Sequence, residues 1–208
     1  LLSAAIGGTS ALSDERERAR IIDAVIESSF KLGEPGLGLL SSATEQIFVL
    51  ETLSLRVALL MKTARSYIAE GSPQSVNGLI QQALPAAGSI ESGYVRSAAL
   101  ADIATVYKSI EEEERAQEAM SRARQALPER SNAELSEAET EALLELARHM
   151  LAFEQPFRAL DVVNRISNVA TRLIGIEIIT KSYQEAESAS AAYIILSQAT
   201  RSADALSD

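Results

Sequence analysis

The chain has 208 residues, with 29 Asp and Glu against 19 Lys and Arg, a net charge of −10. One histidine, no cysteine and no tryptophan leave no disulfide, no thiolate chemistry and few catalytic options. The acidic balance argues against nucleic acid or an anionic membrane as main partner, because both need a basic face. Hydrophobic residues make up 47% and charged residues 23%, an ordinary composition for a folded chain rather than a disordered one.

Apolar residues recur at spacings of three and four, and no run alternates with a period of two, so the elements are helices. Ile22, Val25 and Ile26 mark the first stripe, which ends at Gly33-Glu34-Pro35. Gly33, Gly36 and Gly38 read as a turn; they follow a helix and lack the lysine of a phosphate-binding loop. Ser42-Ala43-Thr44-Glu45 has the spacing of a capping box that opens a helix. The most apolar stretch, Ile47 to Met61, is broken by Glu51 and Arg56 and falls short of the ~20 residues that cross a bilayer. At Gly71-Ser72-Pro73 the serine is placed to cap and the proline to take the first helical position. Leu84-Pro85 and Leu127-Pro128 read as helix ends. Leu100, Ile103, Ala104 and Tyr107 make the next stripe. The acidic run Glu111 to Glu114 then starts a helix, where negative charge suits the dipole; adjacent helical positions diverge and cannot converge on one ion. Ser131-Asn132-Ala133-Glu134 and Ser136-Glu137-Ala138-Glu139 are both capping boxes ahead of the stripe Leu143, Leu146, Ala147 and Met150. Glu154-Gln155-Pro156 interrupts again, and Ile176, Ile179 and Tyr183 form the last clear stripe.

The interruptions are regular. Small residues at Ala64, Ala104, Ala147 and Thr180 are separated by steps of 40, 43 and 33. Three residues after each stand Tyr67, Tyr107, Met150 and Tyr183. Twelve, sixteen and nineteen after each stand Val76, Ile80 and Ala83; Ala116, Met120 and Ala123; Ala159, Val163 and Ile166; and Ala192, Leu196 and Ala199. Fixed internal offsets with variable connections describe one helical hairpin used repeatedly.

The run Leu100-x2-Ile103-Ala104-x2-Tyr107, then Ala116-x3-Met120-x2-Ala123 and Pro128, resembles the tetratricopeptide repeat (TPR). It departs from that pattern in Leu for Trp, Ala for Gly and Met for Phe. The resemblance covers residues 51 to about 203, and the domain organisation it implies is 1–50 as an N-terminal helical hairpin or cap, added by analogy, and 51–208 as one continuous repeat domain. It implies an all-α, right-handed solenoid of about five stacked antiparallel hairpins, in which small residues let helices approach and large ones fill the grooves between hairpins.

The same resemblance implies a non-catalytic scaffold that binds a partner peptide or helix in a concave groove. The residue after each small position would face that groove: Arg65, Thr105, Arg148 and Lys181, with Lys108 on the same side as Thr105. Three of these four are basic in an acidic chain, so the expected partner is a protein or peptide, and an acidic one. The asparagines of the carboxylate-clamp members are replaced by Met61, Ala101 and Leu144. Self-assembly into a homo-oligomer is the alternative. No catalytic, cofactor or metal residues are assigned: His149 has no Cys and only Glu145 near it in sequence, and the serines have no histidine-based triad. The chain opens at Leu1, the start expected of a mature form or a fragment, and suits either cytoplasm or periplasm.

Overall fold

A computed structural model of the chain describes residues 2–29, 32, 34–129, 134–185 and 197. They form α1 (Leu2–Gly8), α2 (Glu15–Ser29), α3 (Glu34–Phe48), α4 (Leu53–Ala69), α5 (Val76–Gly88), α6 (Gly93–Ser109), α7 (Glu113–Ala126), α8 (Glu137–Ala152), α9 (Pro156–Val163) and α10 (Val169–Glu185), with 3₁₀ turns at Thr9–Ala11 and Pro73–Ser75. No strand occurs among the described residues. The chain is all-α, as the periodicity predicts. It divides into two compact units, one of Leu1–Glu91 with Asp102–Ser121 and one of Ser92–Ala101 with Arg122–Asp208.

In the first unit, α2 packs on α3 and α4 on α5 as helical hairpins, α4 also meets α2 and α3, and the short α1 lies on α2 and α3. Its core holds Ile22, Ile26, Leu40, Ile47, Leu60, Met61, Ile80, Ile103 and Met120, all below 2% exposed. In the second unit α8 and α9 pair, and α10 packs on both. Leu143, Leu146, Val163, Ile166 and Ile179 are buried there.

The repeat offsets survive in three dimensions. Ala64, Ala104 and Ala147 are buried, as are Val76, Ile80 and Ala83, then Ala116, Met120 and Ala123, then Ala159, Val163 and Ile166. The last set, Ala192, Leu196 and Ala199, lies outside the described residues, as does the side chain of Tyr183.

The turn inside each hairpin repeats too. Gly71, Glu111 and Glu154, each seven residues after its small position, adopt positive φ of 71°, 62° and 56°. The next residue donates its N–H back to the carbonyl at the aromatic or Met position: Ser72 to Tyr67 at 2.8 Å, Glu112 to Tyr107 at 3.0 Å and Gln155 to Met150 at 2.9 Å. Gly71, Glu111 and Glu154 donate to Ile68, Lys108 and Leu151. These two bonds are the Schellman pattern, which satisfies the last helical carbonyls. Glycine takes this left-handed conformation freely, whereas any other L-residue loses about 1–2 kcal/mol. Glu111→Gly and Glu154→Gly should therefore each raise stability by about 0.5–1 kcal/mol, after the glycine's extra unfolded entropy is subtracted. Differential scanning calorimetry checks this. A lowered melting temperature would show that the Glu side chains contribute more than the strain costs.

Several local expectations need correction. Ser42 and Thr44 do not start a helix. They stand inside α3 and donate back to the Gly38 and Leu40 carbonyls at 3.2 and 2.8 Å, bonds a helical Ser or Thr makes in mid-run. Gly36 and Gly38 also lie inside α3 rather than in a turn. Pro85 does not end α5, which runs on to Gly88. Ser72 makes no side-chain cap, and Pro73 opens a 3₁₀ turn before the α-helix begins at Val76. The Ser136 box is formed: its hydroxyl accepts from the Glu139 N–H at 3.3 Å, and Glu139 accepts from the Ser136 N–H at 3.0 Å. The Ser131–Glu134 box falls largely outside the described residues.

Candidate functional site

The face expected to bind is set by the buried small residues. One residue beyond a buried position on a helix, the side chain turns by about 100° toward the edge of the packed stripe. Arg65 follows the buried Ala64 on α4, Thr105 follows Ala104 on α6, and Arg148 follows Ala147 on α8. Lys181 follows the half-buried Thr180 on α10. Arg65, Thr105 and Lys108 are half-buried, whereas Arg148 and Lys181 are exposed. Met61 and Ala101, standing where a clamp would need asparagines, are fully buried and belong to the core.

In the first unit the structure ties Arg65 to α6. Its guanidinium pairs with the Asp102 carboxylate, the arginine side chain being 41% exposed and the aspartate 16%. Asp102, Thr105 and Lys108 succeed one another at spacings of three on α6, so Arg65 meets the same stripe that carries the other two. Three residues before Arg65 stands Lys62, whose ammonium contacts Asp23 at 2.5 Å and Glu27 at 2.7 Å on α2. Partial burial works to lower the Lys62 pKa, but hydrogen bonding to Asp23 and Glu27 outweighs it and the value is raised. In the second unit each cation pairs within its own helix: Arg148 with Glu145, and Lys181 with Glu177 at 2.7 Å. The Lys181 hydrogen bond holds the Glu177 pKa below its ordinary value.

Asp23, Glu27, Lys62 and Asp102 are not singled out by sequence reasoning. A signal exists: Lys62, Asp102 and Glu145 all stand two residues before a small position, three before the residue expected to bind. Helical spacing puts those two rows side by side.

A second repeating feature lies at the entry to the first helices. Leu50, Ile90 and Ile166 each precede a small position by fourteen residues, Thr52, Ser92 and Asn168 by twelve, and Arg56, Arg96 and Arg172 by eight. Arg56 donates to the Leu50 carbonyl through Nε at 2.9 Å and through Nη2. Arg172, only 8% exposed, donates to the Ile166 carbonyl at 2.9 Å and to that of Ser167 at 3.2 Å. Asn168 caps α10, accepting from the Thr171 N–H at 3.0 Å. Thr52 leaves its own helix uncapped, and the Glu15 carboxylate of α2 takes its hydroxyl, its N–H at 3.0 Å and the N–H of Glu51. The Thr52 hydroxyl is the main reason why the Glu15 pKa falls below its ordinary 4.5.

Among the described residues no group of three His, Cys, Asp or Glu could hold a metal ion, and none of the described helices is long and apolar enough to cross a membrane. His149 is half-buried on α8. An open cleft of about 470 Å³ at the start of α8 is edged by Glu134, Glu137 and Glu141, with Leu135 and Leu144 beside hydroxyl and amide groups.

No family model matches the chain, and no curated protein matches it either. Solved structures do. A crystal structure of nearly identical TPR-like repeats of a putative kinesin light chain from Podosopora anserina, in a single-substitution form, superposes with a TM-score of 0.50. The sequences are 20% identical over 94% of this chain and 95% of that one. A second crystal structure of those repeats gives 0.49 at 20% identity, over 92% and 97% of the two chains. The fold is that of TPR-like helical repeats.

Proposed function

We propose that this TPR-like chain is a non-catalytic protein-interaction scaffold, which holds a partner peptide or helix against the exposed faces of its first helices. Arg65, Thr105 and Lys108 offer that face in the first unit, and Arg148 and Lys181 in the second. Residues 1–50 serve as a cap, and 51–208 as the repeat region. The observation that carries the reading is the recurrence of hydrogen-bonding side chains one residue past each small position, beside the buried stripe of each first helix. A repeat array uses such faces for extended ligands. Arginine suits carboxylate partners, since it can offer two parallel N–H donors. An acidic segment, bound more weakly at high salt, is the expected ligand.

The test is capture of partners from a native lysate, identification by mass spectrometry, and titration of the captured segment against the double reversal Arg65→Glu with Arg148→Glu. Affinity should fall at least tenfold at low ionic strength, with less effect in high salt. Unchanged affinity in a variant with an intact helical spectrum would remove these residues from the binding face. Self-assembly is the second reading, favoured by Val169, Leu173 and Ile174, which are 50–60% exposed on α10. Light scattering on the purified chain separates the two, because a concentration-independent oligomer favours self-assembly.

A further inference from the structure

We infer that Asp102 is a built-in competitor for the Arg65 guanidinium, occupying it in the free protein as an acidic partner's carboxylate would and thereby holding that partner's affinity down. The inference rests on the proposed role of Arg65 in binding acidic segments.

The argument begins with local charge. On this part of the first unit two cations of α4, Lys62 and Arg65, face three carboxylates: Asp23 and Glu27 from α2 and Asp102 from α6. Lys108 on the same α6 stripe brings the cations to three, level with the carboxylates, so an arriving carboxylate meets little net positive charge and must displace or share a neighbour.

The next point is persistence. Exposed ion pairs form and break readily, because two flexible side chains lose entropy by staying together. Glu145 and Glu177 belong to that class: they sit on the same helices as their partners, and their side chains are 45% and 61% exposed. Either can swing away when a ligand arrives. Asp102 is different. It has a short side chain with few rotamers, 16% exposed, and Ile103 and Ala104 beside it are fully buried. That side chain has less freedom to swing clear of Arg65 than an exposed glutamate has. The carboxylates paired with Arg148 and Lys181 therefore yield to a ligand, whereas Arg65 stays contested.

A positioning role is the opposite alternative. There Asp102 would hold Arg65 in a receptive geometry, and its loss would weaken binding. The sign of the effect distinguishes the two.

The experiment is fluorescence anisotropy with a labelled peptide of about ten glutamates and the full-length chain. Asp102→Asn keeps shape and removes charge, and Asp102→Ser serves if that variant does not fold. The dissociation constant should drop roughly three- to tenfold at low salt, the size expected for one partly screened charge. The gain should vanish when Arg65→Gln is added. Glu145→Gln should give a smaller gain. If the wild-type chain binds the peptide and Asp102→Asn leaves the affinity unchanged or weakens it, the competitor role is wrong while the acidic-partner reading stands. If no variant binds the peptide, the acidic-partner reading fails and the competitor role falls with it.

Discussion

Arg172→Met should lower the free energy of unfolding by about 2–4 kcal/mol, as read from urea titration followed by circular dichroism. Methionine keeps most of the apolar stem that packs in the second unit. It loses the charged donors that the Ile166 and Ser167 carbonyls accept. Those carbonyls lie where the chain leaves α9 and enters α10, and hydrogen bonds to a charged donor are worth about 1.5–3 kcal/mol each. The arginine is 8% exposed, so water replaces it poorly. Arg172→Lys should recover part of the loss, because one ammonium can reach one carbonyl but cannot reproduce the planar fork. A loss below about 0.5 kcal/mol for Arg172→Met would mean that the carbonyls find other donors.

The second large effect is expected at Gly175. Two tendencies oppose each other there. Alanine in place of glycine inside a helix normally gains about 1 kcal/mol. Here a Cβ would lie 2.7 Å from both methyl groups of Val163 and 3.2 Å from Leu144, closer than carbon atoms settle. Overpacking of that kind costs about 1–3 kcal/mol, and the contacts come from two different helices, so neither can yield alone. The steric term wins, and Gly175→Ala should destabilise by about 1–2 kcal/mol. Gly175→Leu should cost more or abolish folding of the second unit. Val163→Ala added to Gly175→Ala should restore stability toward that of Val163→Ala alone, the non-additivity expected of touching residues. A simple sum of the two single effects would show that the contact is not responsible.

The hairpins are legible because packing residues in a repeat array keep strict offsets. Ala64, Ala104 and Ala147 align directly, and their described second-helix counterparts, from Val76 to Ile166, are all buried. Local boundaries are less legible where one residue type serves two purposes. Ser42 and Thr44 have capping spacing, yet a helix already under way uses their hydroxyls for back-bonding. Pro85 sits late in α5, in a helix that continues for three more residues. Gly175 could not be recognised at all, since its contacts come from Val163 and Leu144, which no helical spacing brings near it.

The candidate site is half legible. The residues expected to bind follow from the buried small positions. Asp102 and Glu145, the partners of Arg65 and Arg148, stand in the row two residues before small positions, and Asp102 comes into view only through the pairing of α4 with α6, while Glu177 pairs with Lys181 from outside that row. Asp102 reads as one more surface carboxylate until the structure puts it against Arg65. The arginine row at Arg56, Arg96 and Arg172 is readable in principle, because its spacing from the small residues is as strict as that of Tyr67 and Tyr107. It escapes notice because a charged residue suggests surface, while Arg172 is buried.

The reach of Arg56 and Arg172 back across six residues bears on where such a chain can be cut and rejoined. Each arginine fastens onto a carbonyl that precedes its own helix, at Leu50 and at Ile166. The transferable piece therefore begins before that carbonyl and not at the first helical residue. A chimera joined at residue 53 or 169 would separate the arginine from the carbonyl it holds, whereas one joined a few residues earlier would carry anchor and anchorage together. Since the contact is local in sequence, it travels with the piece into any neighbour that accepts its apolar face. The grammar of recombination in this fold is thus set by a side chain inside the helix and not by the visible helix boundary.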